Sequence, residues 1–577
     1  MTMRQDMGTD DWPLRPWIMA AICSVAGLLF HSLTDYSYGS GGVPPLNQAA
    51  ATLVAIAAIS FVLTVEQRRW TWSLAFALGW GAVVALVGWF TASYNQYPTI
   101  FEWPFLSGLF AVLLAAPLFQ TVRDSPSGGG AWRFPYAKLH GHAWTDAVIG
   151  AASLAFVGIT FMLAWLIAML FDLIGIDLVK ELLKKEWFSW MLAGFAFGAA
   201  LGLLRERDAL VATLQRLVMV VLGVLAPVLA AALVLFLASL PFTGLTKLWD
   251  SSVPATPLML VAGAGAILLA NAVIGNGTDD RATNRVLRIA SLALVLTVLP
   301  LAIIAALSLG QRIGQYGWTP ERIWGVVAVA IAIGYVLAGW WSVAKGRVNF
   351  DDLLRPLQTK MAIGLCGIAL FLALPILDFG AISASSQMDR FANGKVKPEE
   401  FDWKAMAFDF GPAGRERLAE IAKRGPADQR KLAATALQSK NRYEVEQEVE
   451  KTASAANLDQ YLRVVPVGAM LSPAQRDAVA ATPLCRIETC VVTMVDARTG
   501  LIAGRSNQKG NVIIQKIALD EKGVWSNDYA ANDLVMIDGS LAPVGRPSDL
   551  ATAPVEVRTI QRRQLFIDGK PIGGTFE

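Results

Sequence analysis

Charge is what this chain lacks. Asp, Glu, Lys and Arg make up 16% of its 577 residues, where an ordinary soluble protein carries about a quarter, and the deficit is concentrated before residue 380. Histidine is scarce too: there are 3, none beyond residue 142, which leaves the polar C-terminal third without a ligand set for structural zinc. The net charge of +3 comes with no compact basic stripe, which excludes nucleic acid as a partner. No nucleophile elbow, P-loop or zinc signature occurs in the C-terminal third. No cofactor is expected, and no catalytic residue can be named.

What is present is eleven long apolar runs, the first at Trp17–Leu33, the fifth at Ala147–Phe171 and the last at Met361–Leu377. Each is long enough to cross about 30 Å of hydrocarbon as a helix. The expected fold is therefore mainly α: a polytopic α-helical membrane bundle of about 11 transmembrane helices with a small C-terminal α+β soluble domain. The expected divisions are a cytoplasmic N-terminus at 1–16, the bundle at 17–381, a helical neck at 382–430 and an extracytoplasmic α+β domain at 431–577. The first run is preceded by Asp6, Asp10 and Asp11 and lacks a convincing small-residue cleavage site, so it reads as a retained helix and not a signal peptide.

Orientation follows from Lys and Arg in the short connections. Alternate connections, counted from the N-terminus, hold 17 of them, among them Arg15, Arg123, Arg205, Arg281 and Arg355; the opposite set holds 6, namely Lys180, Lys184, Lys185, Lys247, Arg312 and Arg322. The bias places the N-terminus in the cytoplasm. An odd number of crossings then places the C-terminal domain outside, in the periplasm of a bacterial cell, with the bundle in the inner membrane. Cys485 and Cys490, spaced Cys-x4-Cys in the polar region, suit a disulfide in such a compartment; free thiols and a metal half-site are the alternatives. Cys23 and Cys366 fall inside apolar runs and read as small core residues.

No span carries Asp, Glu, Lys or Arg near its centre, which weakens ion-coupled transport, a process that usually needs acids in the membrane. His31 reads as an interfacial residue and Asn271 as interhelical glue. Pro117, Pro227, Pro300 and Pro375 lie within or near span ends and can kink helices. Gly194, Gly198 and Gly202 form a close-packing face, within the bundle or in a dimer. Leu178, Val179, Leu182 and Leu183 share an apolar face opposite Lys180, Glu181, Lys184 and Lys185, with Trp187 and Trp190 nearby, which predicts a short helix on the outer leaflet.

Two connections carry more. Before the fifth run stand His140, His142 and Asp146; the i, i+4 pair could co-ligate a cation, or the segment is an interfacial helix start anchored by Trp144. Between the ninth and tenth runs, Thr319, Pro320 and Glu321 suit the N-cap, first position and first turn of a helix. Arg312, Tyr316 and Arg322 remain, to bind an anionic head group or to pin the soluble domain onto the bundle.

Three ordered motifs resemble a known family: Leu139-His140-x-His142-Ala143-Trp144-Thr145-Asp146, Arg312-x3-Tyr316-Gly317-x-Thr319-x2-Arg322, and Ser386-Gln387-x2-Arg390-x3-Gly394-Lys395-Val396-x4-Phe401-Asp402. They are similar to those of bacterial polytopic membrane proteins with the domain of unknown function 4153, over roughly residues 10–420. The resemblance implies a membrane location and no catalytic residue.

Beyond the neck, residues 427–456 read as charged helix and 472–481 as a short one. From Cys490 the pattern turns to period two, with strands expected at Val491–Val495, Asn511–Leu519, Leu534–Ile537, Val555–Ile560 and Gln564–Ile567, and hairpin turns at Lys522-Gly523 and Asp568-Gly569. The leading functional expectation is an envelope sensor, scaffold or assembly factor presenting a periplasmic domain to a protein partner. The alternative is a transporter or flippase for a lipid-linked or apolar substrate. An enzyme using outer-face acids such as Asp35 and Glu102 comes third. The bilayer is a partner in every case.

Overall fold

The computed structural model describes residues 12–35, 43–93, 98–125, 134–249, 253–277, 281–485, 488–505, 512–521, 523–528, 550–552, 554, 563–567 and 570–576. The chain divides into two compact units, residues 1–388 with 408–414, and residues 389–407 with 415–577.

Among the described residues of the first unit eleven helices are long and apolar enough to cross a membrane. They are α1 (Arg15–Thr34), α2 (Pro45–Thr64), α3 (Trp70–Ser93), α4 (Pro98–Arg123), α5 (Tyr136–Asp172), α7 (Glu186–Arg205), α8 (Asp208–Thr243), α10 (Ala255–Ile274), α11 (Arg285–Tyr316), α12 (Pro320–Gly346) and α13 (Phe350–Ala373). Short helices α6 (Leu178–Leu183) and α9 (Thr246–Trp249) lie between them. The helix α6 covers the amphipathic stretch, while Trp187 and Trp190 belong to α7. Large apolar side chains such as Leu154, Ile159, Met162 and Leu166 on α5 and Val224, Val228 and Leu235 on α8 are exposed, as a lipid-facing surface requires. Pro117, Pro227 and Pro300 sit inside α4, α8 and α11.

At 37 residues, α5 is about 55 Å long, well over the hydrocarbon thickness. Its apolar part matches the fifth run, and its polar first three turns, Tyr136–Asp146, extend the helix toward the end at which α1 begins, here called the basic end. The start of α12 follows the sequence: Thr319 accepts from the Arg322 amide (3.4 Å), Pro320 opens the helix and Glu321 lies in its first turn.

The bundle has two packed regions. One core joins α1, α2, α5 and α7 around Met19, Val62, Ile149 and Leu201. The other joins α8, α10, α11, α12 and α13 around Ala266, Leu294, Leu301 and Ala305. Helix α4 packs on α3 and on α13.

The helix α14 (Phe379–Ala392) follows the last span; the second unit then holds α15 (Trp403–Phe408), most of α16 (Gly411–Arg424), α17 (Ala427–Gln438), α18 (Arg442–Tyr461) and α19 (Pro473–Ala480). Its five-stranded sheet has the order β1 (Leu462–Val465), β2 (Cys490–Asp496), β3 (Thr499–Arg505), β4 (Val512–Leu519), β5 (Trp525–Asp528). The pair β1–β2 is parallel, with α19 between them in the chain, and the rest are antiparallel. A second sheet pairs β6 (Arg563–Ile567) with β7 (Lys570–Phe576).

Strands β1, β3, β5 and β7 were not expected. In β3 the buried positions are Gly500, Ile502 and Gly504, and glycine is poor strand material by propensity. A side chain at Gly504 would collide with the Leu484 backbone, so the glycine lets the 3-10 turn Pro483–Cys485 lie against the sheet. Gly523, at φ +77°, sits in the β4–β5 connection. The expected strands Leu534–Ile537 and Val555–Ile560, Lys522 and the Asp568-Gly569 turn lie outside the described residues.

Candidate functional site

A cleft lies among α4, the start of α5, α10, α11, α12 and α13; α4 and α13, packed on each other where Ser107 Oγ–H donates to Ala369 O at 2.9 Å, form one side of it. It consists of two adjoining cavities of about 660 Å³ and about 780 Å³ that share Phe110, Leu260, Ala328, Ile331 and Leu365 as walls. The cavity toward the basic end is closed off by Tyr136 and His140 of α5, Asn271 of α10, Tyr335 of α12, and Gln358 and Thr359 of α13. The far mouth carries Trp103, Arg312, Glu321, Arg322 and Trp324. From Glu321 to Tyr335, both on α12, the rise is about 21 Å, most of a hydrocarbon layer. Between the two polar ends the walls are aliphatic or aromatic.

The polar groups at the basic end are ordered by one another and carry no formal charge. Gln358 Nε2–H donates to Asn271 Oδ1 at 2.6 Å. Trp144 Nε1–H donates to His140 Nε2 at 3.1 Å, and His140 Nδ1 is bonded to Asn276 Oδ1. With Nε2 accepting, Nδ1 must carry the proton, so the partners assign His140 the neutral tautomer. Two groups are left over. Tyr136 Oη and Thr359 Oγ1 are both buried without a hydrogen-bond partner, and the Thr359 residue is only 7% exposed.

The cation-ligand candidates do not converge. His140 has the partners just given, His142 Nε2 lies 3.4 Å from Asp124 Oδ2, and both Asp146 carboxylate oxygens accept from Gln120 Nε2 at 3.1 and 3.0 Å. Among the described residues no group of three metal-ligating side chains forms.

At the far mouth the three candidates part company. Arg322 Nη1 donates to Gly317 O at 2.6 Å and its guanidinium stacks over the Tyr316 ring at 5.6 Å. Gln387 of α14 donates to Tyr316 O and Trp318 O at 2.8 and 3.0 Å, and Ser386 Oγ accepts from the Trp318 amide at 3.2 Å. Tyr316 and Arg322 thus shape a loop that holds the first turns of the neck helix, and Arg322 also lines the cleft mouth with Arg312 and Glu321.

Gly194, Gly198 and Gly202 face α1 within the chain. A Cβ on each would run into the backbone of Cys23, Met19 and Pro16 respectively, and one on Gly27 of α1 would strike Trp190. Cys485 and Cys490 are joined by a disulfide with Cα atoms 5.0 Å apart, and both are buried in the second unit's core.

One cluster escaped the sequence reading. The last carbonyls of α2 point into the bundle, and four helices supply donors to them: Arg205 to Val62 O (3.4 Å), Gln120 to Leu63 O (3.2 Å), Ser73 to Thr64 O (2.9 Å) with Arg123 beside it, and Arg15 to Val65 O (2.9 Å). The same three arginines surround Glu66 at 3.6–3.8 Å. At α10, Arg355 donates to Ile274 O (2.9 Å) and Gly277 O (3.1 Å) and pairs with buried Asp351 (2.9 Å). Orphan helix-end carbonyls need such donors, and cations there also meet the negative end of the helix dipole. Arginines read as topology markers therefore also close helix ends. Only their position just outside an apolar run hinted at it.

A family model described as "Domain of unknown function (DUF4153)" matches residues 50–420. No curated protein and no solved structure matches the chain.

Proposed function

The chain belongs to the DUF4153 family, and from that premise and the cleft we propose that this multi-pass membrane protein binds the apolar tail of a lipid or lipid-linked molecule among α4, α5 and α10–α13 and moves or presents it across the bilayer. One observation carries the reading: an apolar cleft spanning most of the hydrocarbon and ending in polar groups at both ends. Such a shape suits a tail along its length and a head at an end. The bundle has no acid at mid-span, and cargo of this kind needs none.

The test is a proteoliposome assay in which a fluorescent-headed lipid is quenched from outside. The full chain is expected to speed exchange between leaflets, and Ala328→Phe, which fills the wall shared by both cavities, to abolish the gain. Equal rates for the parent, Ala328→Phe and empty vesicles overturn it.

The location belongs to the same proposal: a bacterial inner membrane, the basic end cytoplasmic and the second unit periplasmic. The 17-to-6 asymmetry of Lys and Arg supports it, and so does a disulfide in the second unit. Alkaline phosphatase fused after Glu577 is then active and a cytoplasm-only fluorescent protein dark; the reverse pattern overturns the orientation. A second reading, that the periplasmic unit senses or scaffolds a partner protein, is favoured by that unit's own sheet and buried core. Crosslinking through it in cells is expected to capture one defined partner; finding none across growth conditions removes this reading.

A further inference from the structure

We infer that the basic end of the cleft is a recognition site for a neutral, hydroxyl-bearing head group, as on a diacylglycerol or a neutral glycolipid, and not for a phosphate or carboxylate. This rests on the proposed cleft reading and deepens it.

The first argument is the unspent hydrogen bonding. Thr359 of α13 and Tyr136 of α5 both line this cavity, and the hydroxyl oxygen of each is buried without a partner. A buried polar group left unpaired costs about 1–3 kcal/mol, so two of them on residues lining one cavity mark a place where a partner belongs. A hydroxyl both donates and accepts, as do Thr and Tyr, so it can satisfy either. Threonine in a helix often bonds a carbonyl of the preceding turn, as Thr121 does at 2.7 Å; Thr359 does not.

The second argument is charge. Among the described residues no Lys, Arg, Asp or Glu lines this cavity. His140 is neutral by its partners. The nearest cation on the same helix face, Arg355, is paired with Asp351 and Asp352 and donates through its terminal nitrogens to two carbonyls, with only its Nε–H left unbonded. An anionic head placed here would be desolvated without a counter-charge, which is costly. The far mouth does not discriminate in the same way, because Glu321 stands with Arg312 and Arg322.

The third argument is preorganisation. Gln358 holds Asn271 by its carbonyl oxygen, which leaves the Asn271 amide hydrogens and the Gln358 carbonyl oxygen as a donor and an acceptor beside the two hydroxyls. A head with more than one hydroxyl meets a mixed lining, which suits a diol or sugar.

The test uses the full chain in detergent and two probes with the same tails, dioleoylglycerol and dioleoylphosphatidate, with the retained lipid read by native mass spectrometry. The parent is expected to retain dioleoylglycerol at least about tenfold better. Tyr136→Phe with Thr359→Val should cut that retention about tenfold, two lost hydrogen bonds, and leave phosphatidate retention unchanged; Thr359→Ser should keep it. A preference for phosphatidate, or dioleoylglycerol retention indifferent to Tyr136→Phe with Thr359→Val, overturns the inference and means that water alone satisfies the two hydroxyls. Ala328→Phe separates the two levels. If it abolishes retention of both probes while the hydroxyl variants do nothing, only the head-group inference fails. If it changes neither, the cleft reading fails with it.

Discussion

Two stripes of small residues on this bundle have opposite fates. On α7, Gly194, Gly198 and Gly202 are covered by the backbone of α1 at contact distance. On α12, Gly325, Ala328 and Ala332 line the cleft. Both stripes have the spacing that in a membrane usually signals a helix–helix seam. The difference lies in what stands opposite. α1 presents its own small positions, Ala20 and Gly27, and an unbranched stretch of main chain, so the two backbones meet. Across the cleft, α4 and α13 present Phe110, Leu106 and Leu365, whose bulk holds the helices apart without filling the space. Small residues permit approach; the facing helix decides whether it happens. In lipid no hydrophobic force closes the gap, since an acyl chain covers those walls as well as another helix does.

The sharpest way to break this comparison is to put one bulky side chain in each stripe. Gly198→Leu must push α1 off the Met19 carbonyl, and because backbone cannot rotate away, the expected loss is about 3 kcal/mol or more, read as loss of folded chain by size-exclusion and thermal unfolding. Ala328→Phe enters open space and should leave the unfolding temperature nearly unchanged while removing bound lipid. Equal effects on folding would mean that the cleft is as tightly closed as the α1–α7 seam.

The helix ends extend the contrast. Arg355→Met should destabilise by about 3 kcal/mol, because it leaves Asp351, which is 2% exposed, with Arg281 as its remaining partner (2.7 Å) and removes the donor to two carbonyls. Asp351→Leu together with Arg355→Met should recover part of that, since no buried carboxylate is then left with one of its two arginines missing; no recovery would place the cost in the Ile274 and Gly277 carbonyls. A control lies on lipid-facing α5, where Gly158 has nothing within contact of a Cβ. Gly158→Ala should be neutral or stabilising by up to about 1 kcal/mol, the helix propensity alone.

How much of this was legible follows from where each piece of information resides. The eleven spans were readable because a bilayer imposes length and apolarity on each helix separately. The start of α12 was readable because Thr319, Pro320 and Glu321 act on their own helix. The seam at Gly194, Gly198 and Gly202 was half readable: the spacing marked a seam but did not name α1. The cleft was not readable, since a cavity is a property of distances among six helices, and Ala328 looks the same in a seam or a wall. Arg15, Arg123 and Arg205 were read as charges that stay on one side of a membrane. Their bonds to successive carbonyls of α2 depend on four helices ending at one level. Strand β3 was hidden because its inward positions are glycines, chosen for the approach of Leu484 and not for strand propensity.

The smallest expected effect concerns the basic end of α4, the wall that separates the two packed regions. Burial alone would raise the Asp124 carboxyl, but the hydrogen bond and charge of Arg123, joined by His142 and Arg69, outweigh it and hold the group below the usual carboxylate range. The sign follows from linkage: a carboxyl with a lowered folded-state pKa contributes stability above its unfolded value, about 3.9, and that contribution is lost as pH falls through the lower folded value. The side chain is about one-third exposed, so solvent screens the pair and the contribution is small. The unfolding temperature of the parent should therefore exceed that of Asp124→Asn slightly at neutral pH, and the difference should shrink and vanish as acidification protonates the folded-state carboxyl. A difference that persists in acid would assign the stabilisation to the hydrogen bond that an Asn at 124 cannot reproduce, and not to the charge that ties the end of α4 to α5.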